Sequence, residues 1–203
     1  TFTAAGRVPF AASATALSTS ADFSWDDTKK ILNIVGPGTA NIFVGTNAGT
    51  SYAATGDYNT LVGYNSGPNT STGKQNVYVG SNSGATNTTG SYNTFVGNGA
   101  GYTNSTGIKN TFIGNGAGYL STTSSDNTFV GNSAGYGNMI GANNAFFGSS
   151  AGYTNTTGSF NSFMGTVAGA ANVNGSHNAY YGYSAGATHT SGDNNTLIGS
   201  NAG

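Results

Sequence analysis

The chain has no cysteine and no glutamate, and only 5% of its 203 residues are charged. Without thiols, neither disulfides nor thiolate metal sites hold the fold, a condition that suits exposed and cytosolic proteins alike. Five Lys and Arg against six acids leave a net charge of -1. So few cations can neither neutralise a row of phosphates nor hold the chain on an anionic membrane, which argues against nucleic acid and membrane as partners. No stretch approaches eighteen consecutive apolar residues, and no basic-then-apolar signal opens the chain.

The scarce ionisable groups also fail to cluster. Asp22, Asp26, Asp27, Asp57, Asp126 and Asp193 are scattered near turns, so no general acid/base pair or metal cluster is indicated. His177 and His189 fall at different places in the pattern described below, with no recurring carboxylate beside them. A calcium-binding repeat needs an Asp in each turn, and this chain has Gly and Asn instead. The expectation is a chain without enzymatic activity, cofactor or metal.

What the chain does have is period. The window Asn93–Lys109, NTFVGNGAGYTNSTGIK, recurs every seventeen residues, opening on Asn59, Asn76, Asn93, Asn110, Asn127, Asn144, Asn161, Asn178 and Asn195. A further copy opens at Asn41 with one inserted residue, making ten. A fixed short period predicts a repeat architecture. There are 34 glycines, without the every-third spacing of collagen. Ten sit at repeat position five (Gly45 through Gly199) and ten at position nine (Gly49 through Gly203), each at a turn or a close backbone approach.

Residues 1–40 differ in composition and hold the sole Trp and Arg. Phe23-Ser24-Trp25 and Ile31 to Val35 read as two strands around the polar turn at 26–30, a β-hairpin broken from the array by Gly36-Pro37-Gly38. The expected domains are a hairpin cap or connector over 1–40 and a ten-copy shaft over 41–203. A cap covers the open edge that a stack of strands leaves at its end.

Within the array, position three is Phe43, Leu61, Tyr78, Phe95, Phe112, Phe129, Phe146, Phe163, Tyr180 and Leu197, and position four is Val44, Val62, Val79, Val96, Ile113, Val130, Phe147, Met164, Tyr181 and Ile198. Neighbours in a strand point to opposite faces, so each copy carries an apolar group on both sides. Small Ala at position eight suits the inside of the coil; the other face needs a partner. The core or inter-chain columns are thus exemplified by Phe95 with Val96, Phe112 with Ile113, Phe129 with Val130 and Phe146 with Phe147. The predicted fold is all-β, a β-solenoid or β-roll with one turn per repeat, in which identical chains, three by preference, share an axis.

The unit N-T-F-V-G-N-x-A-G-Y-x-N-T-T-G-x-x closely resembles the tandem repeats of phage and bacterial tail-fibre-domain proteins. More loosely, it resembles the glycine-punctuated repeats in the heads of trimeric autotransporter adhesins. The segment GRVPFAASATALSTSADFSWDDTKKILNIVG is similar to the one preceding such shafts in viral tail fibres. The resemblance implies a homotrimeric fibre shaft on a virion tail fibre or a cell surface. Such a shaft projects an attachment tip towards a host glycan or receptor, and no tip is expected within the array itself.

Other columns carry rival expectations. Asn at position one either forms an internal amide ladder or serves local turn bonds. Tyr102, Tyr119, Tyr136 and Tyr153 at position ten line one edge, where they cover a turn or stack on sugar rings, as in a bacterial adhesin stalk contacting glycans. Threonines at 86/88, 154/156 and 188/190, with Thr72, Thr89, Thr106, Thr123 and Thr157, resemble the arrays of ice-binding solenoids, though Leu120, Gly137, Met139, Ile140, Ala171, Val173 and Asn174 interrupt them. Asn87, Asn104 and Asn155 match the glycosylation acceptor pattern, as chance matches in a chain rich in Asn and Thr would.

Overall fold

A computed structural model describes residues 23–26, 31–34, 40–51 and 56–203. Strand β1 (Phe23–Asp26) pairs antiparallel with β2 (Ile31–Ile34), Trp25 opposite Leu32. The turn between them, Val35, the Gly36-Pro37-Gly38 break and the rest of the expected cap lie outside the described residues.

The array is a β-solenoid. Ten strands, β3 (Ile42–Val44), β4 (Thr60–Val62), β5 (Val77–Val79), β6 (Thr94–Val96), β7 (Thr111–Ile113), β8 (Thr128–Val130), β9 (Ala145–Phe147), β10 (Ser162–Met164), β11 (Ala179–Tyr181) and β12 (Thr196–Ile198), form one parallel sheet in chain order. Each residue pairs with the same repeat position in the next coil, as Phe95 does with Phe112 and Val96 with Ile113. A single slip would turn every Phe outward, so the buried face fixes the register.

Strands stop after three residues because position five adopts a backbone that only glycine enters freely. Gly131 has φ +144, and a Cβ there would lie 2.4 Å from the carbonyl oxygen of Gly148 in the next coil. Backbone pairing continues around the coil beyond the strands. Gly118 N–H donates to the Ala134 carbonyl in the following coil, and Lys109 N–H to that of Ser91 in the preceding one. Each coil is thereby bonded to both neighbours at several corners, which lets a coil so rich in loops bury its backbone.

The interior follows from the same register. From Tyr78 to Tyr180 the position-three rings are fully buried and stack with centroids 4.8–4.9 Å apart and planes within 4–8° of parallel. That spacing is the strand separation itself, so identical side chains stack without leaving their rows. The position-eight alanines pack against this column. Position nine must be glycine: a Cβ on Gly118 would stand 2.5 Å from the Phe112 ring.

Candidate functional site

The position-one asparagines, also buried, perform both expected roles at once. Asn110 N–H donates to Asn93 Oδ1 (3.0 Å), and Asn127 N–H to Asn110 Oδ1 (3.1 Å), which ties coil to coil. The Nδ2 group of Asn110 donates to the Ser124 carbonyl of its own coil, at 2.8 Å, and that of Asn127 to the Gly141 carbonyl at 2.9 Å. One amide closes its coil and holds the next, a structural duty that leaves nothing to offer a ligand.

A second amide column runs at position twelve. Asn87, Asn104, Asn138, Asn155 and Asn172 are fully buried, so the three acceptor-pattern asparagines are sealed inside the folded coil. Asn155 Nδ2 donates to Asn138 Oδ1 and Asn172 Nδ2 to Asn155 Oδ1, both at 2.7 Å, and each also reaches the position-fifteen glycine carbonyl. Sequence reasoning missed this column. Its signal was the recurrence of Asn-x-x-Gly at positions twelve to fifteen, which fails in one central coil at both places together.

That coil carries Ser121 and Ser124, whose hydroxyls bond to each other. Elsewhere a Cβ at position fifteen would collide with the asparagine, 2.3 Å from Asn87 Oδ1 at Gly90 and 2.4 Å from Asn104 Nδ2 at Gly107. A side chain at fifteen therefore goes with a shorter one at twelve. Ser121 is too short to continue the ladder, and the Asn104 amide below it has no hydrogen-bond partner on either atom.

Position four lies on the outer face of the sheet. Val44, Val79, Ile113, Phe147, Met164, Tyr181 and Ile198 are exposed, from 36% at Tyr181 to 71% at Ile198, while Val62, Val96 and Val130 are half-buried. In the single chain, Phe95, Phe112, Phe129 and Phe146 are therefore core, whereas Val96, Ile113, Val130 and Phe147 face outward.

No protein-family model, curated protein or solved structure matches the chain.

Tyr102, Tyr119, Tyr136 and Tyr153 form a second stack, with centroids 4.8–5.1 Å apart and planes within 9°. Their faces cover one another, so the inner rings offer a ligand only edges and hydroxyls. Burial pushes the Tyr119 phenol above its ordinary value, and the flanking Tyr102 and Tyr136 add to the shift. Threonines at positions eleven and thirteen are similarly committed, whereas Thr72, Thr89, Thr106, Thr123 and Thr157 at position fourteen are exposed. Thr86 Oγ1 donates to the Tyr102 carbonyl (3.0 Å), Thr103 to Tyr119 (2.8 Å), Thr154 to Ala170 (2.7 Å) and Thr156 to Val173 (3.0 Å). These hydroxyls bind coil to coil, and exposed Met139, Ile140 and Val173 stand among them. His189 lies edge-on to the Tyr180 ring with Nδ1 3.3 Å from its hydroxyl, whereas His177 stacks on Phe160.

Proposed function

We propose that the chain is a non-catalytic structural shaft, a homotrimeric segment of a viral tail fibre or similar surface appendage that holds an attachment tip away from a virion or cell surface. The observation that carries this reading is the unbroken outward column of ten apolar residues at position four. At roughly 50 Å² each, such a column approaches the upper end of the ~300–600 Å² typical of the largest apolar patch on a monomer. Its burial at about 25 cal/mol per Å² is worth on the order of ten kcal/mol per chain before association costs. Identical chains supply identical columns at the same coil spacing, so copies meet rung by rung. Ten coils at the 4.8 Å ring spacing make a rod about 48 Å long, held along its length by in-register hydrogen bonds.

Sedimentation equilibrium and native mass measurement test the assembly. A trimer at micromolar concentration is expected, converting to monomer when Val96, Ile113 and Val130 are all changed to Asp. A monomeric wild-type chain overturns the reading.

A further inference from the structure

The sequence holds three Asn-Gly steps, Asn98-Gly99, Asn115-Gly116 and Asn174-Gly175. A glycine has no Cβ to hinder its own nitrogen, so the backbone amide of such a step reaches the carbonyl carbon of the preceding side chain more freely than any other. All three asparagines are exposed. Exposure therefore does not separate them, but the backbone around each step does.

The first two steps lie at positions six and seven and are pinned on both sides of the peptide plane. Gly99 N–H donates to the Ser81 carbonyl (2.9 Å), and the Asn98 carbonyl accepts from Gly116 N–H (2.9 Å). That same bond holds Gly116, and the Asn115 carbonyl accepts from Ser133 N–H (2.8 Å). Their side chains also meet, Asn115 Nδ2 donating to Asn98 Oδ1 at 3.4 Å. The third step lies at positions fourteen and fifteen. There, among the described residues, neither the Asn174 carbonyl, the Gly175 N–H nor the Asn174 side-chain amide takes part in a hydrogen bond. The other regular coils carry Thr, Ile or Ser at position fourteen, so an amide side chain stands there only once.

We infer that Asn174 is a self-modification site: in the folded chain it deamidates through Gly175, while the coil ladder shields Asn98 and Asn115. The Gly175 nitrogen gives its proton to solvent and attacks Asn174 Cγ. The new C–N bond closes a succinimide ring as Nδ2 takes up a proton from solvent and leaves as ammonia. Water then adds to either ring carbonyl, and the ring opens to an aspartate or to a β-linked isoaspartate at position 174. Turning the 98–99 or 115–116 plane for the same attack first breaks two backbone hydrogen bonds, which slows those sites about tenfold or more. The β-linked product adds a methylene to the main chain just before Gly175, whose carbonyl accepts from Asn161 Nδ2 (2.7 Å) and Asn172 Nδ2 (3.0 Å). The change thus falls where this coil is closed. Neither residue belongs to the position-four column, so the inference does not depend on assembly.

The test is incubation of the full chain in mildly alkaline buffer, followed by intact-mass measurement and peptide mapping. A gain of one mass unit at Asn174 is expected, at least about tenfold faster than at Asn98 or Asn115, with part of the product accepted by an isoaspartyl methyltransferase. In guanidinium chloride the three sites react at similar rates, because the ladder that separates them is gone. Asn174→Thr, which installs the commonest residue of position fourteen, removes the early mass gain, and melting curves check that it stays folded. Equal rates at the three sites in the folded chain overturn the inference. So does an unchanged ratio of rates on unfolding, or no gain at Asn174 in the folded chain after several half-lives of the unfolded one.

Discussion

Phe129 and Val130 are neighbours in one three-residue strand, similar in hydrophobicity and β-propensity, and they meet opposite fates. Phe129 is fully buried between Phe112 and Phe146, while Val130 is half-exposed on the outer face. The same contrast extends along the array. Inside, columns one and nine keep a single residue type through ten coils, column eight is Ala or Ser and column three Phe, Tyr or Leu; outside, position seventeen runs through Tyr, Gln, Lys, Asp, Asn, Phe and His. Stacking explains the difference. An inward side chain has the same residue 4.8 Å above and below it, so a change in one coil is felt by three. An outward one is constrained chiefly by its backbone.

The sharpest break of this comparison is Phe129→Ala against Val130→Ala. The first removes one ring from a continuous column and leaves a cavity flanked by two others, at a cost of about 3–5 kcal/mol. The second costs under about 1 kcal/mol in a chain studied below its association concentration, since little of the side chain is desolvated there. Chemical denaturation of the two variants measures both. Equal losses would mean that the two faces are not distinct.

A smaller effect tests whether interior columns are coupled across the coil. Gly90→Ser places a Cβ 2.3 Å from Asn87 Oδ1 and 2.5 Å from the Gly107 carbonyl. Overpacking of this kind costs about 1–3 kcal/mol. Adding Asn87→Ser recreates the Ser121–Ser124 pair and should return at least about 0.5 kcal/mol of it, a coupling read from a double-mutant cycle. Strict additivity would refute the coupling.

Much of this was legible beforehand because period and alternation report directly on stacking. The seventeen-residue repeat gave one coil, adjacent Phe and Val gave an inner and an outer row, and invariant glycines marked places without room for a Cβ. Asn87, Asn104 and Asn155 were not recognised as a buried column, because an acceptor motif describes three residues and says nothing of which way the first one faces. The tyrosine ladder showed its location but not its orientation: ring planes are set by the coil below, which sequence does not display. Position seventeen gave no sign of left-handed backbone. Tyr58, Lys109 and Phe160 do not favour it, and the conformation is imposed by the position-sixteen carbonyl of the preceding coil, which accepts the position-seventeen N–H at 2.9–3.2 Å in coil after coil.

That imposition has its plainest cost at position seven, also left-handed, where Asn47, Asn65, Asn82 and Asn201 are joined by a β-branched residue, Val167 (φ 57). Left-handed backbone costs an ordinary L-residue roughly 1–2 kcal/mol, and asparagine tolerates it through local hydrogen bonds. Val167→Asn should therefore stabilise the chain by about 1 kcal/mol, seen as a higher melting temperature with unchanged circular dichroism. A lower one would show that the Val167 side chain contributes more by packing than its backbone costs.

A comparable effect lies at the first polar ring of the position-three column. Tyr78 carries its hydroxyl into a column otherwise continued by Phe95, and that hydroxyl is buried without a hydrogen-bond partner. Burial pushes the phenol well above its ordinary range, and the nearby Asn93 and Asn87 amides only partly offset the shift. The neutral form is thus the one the fold accepts. Its contribution is fully present below the unfolded-state value of about 10 and is lost as pH rises beyond it, because only the unfolded chain can then release the proton. Tyr78→Phe removes the unpartnered group while keeping the stacked ring. It should gain about 1 kcal/mol at neutral pH and flatten the fall of melting temperature between pH 10 and 11.5. A variant that melts lower than wild type at neutral pH would show that the hydroxyl is satisfied after all.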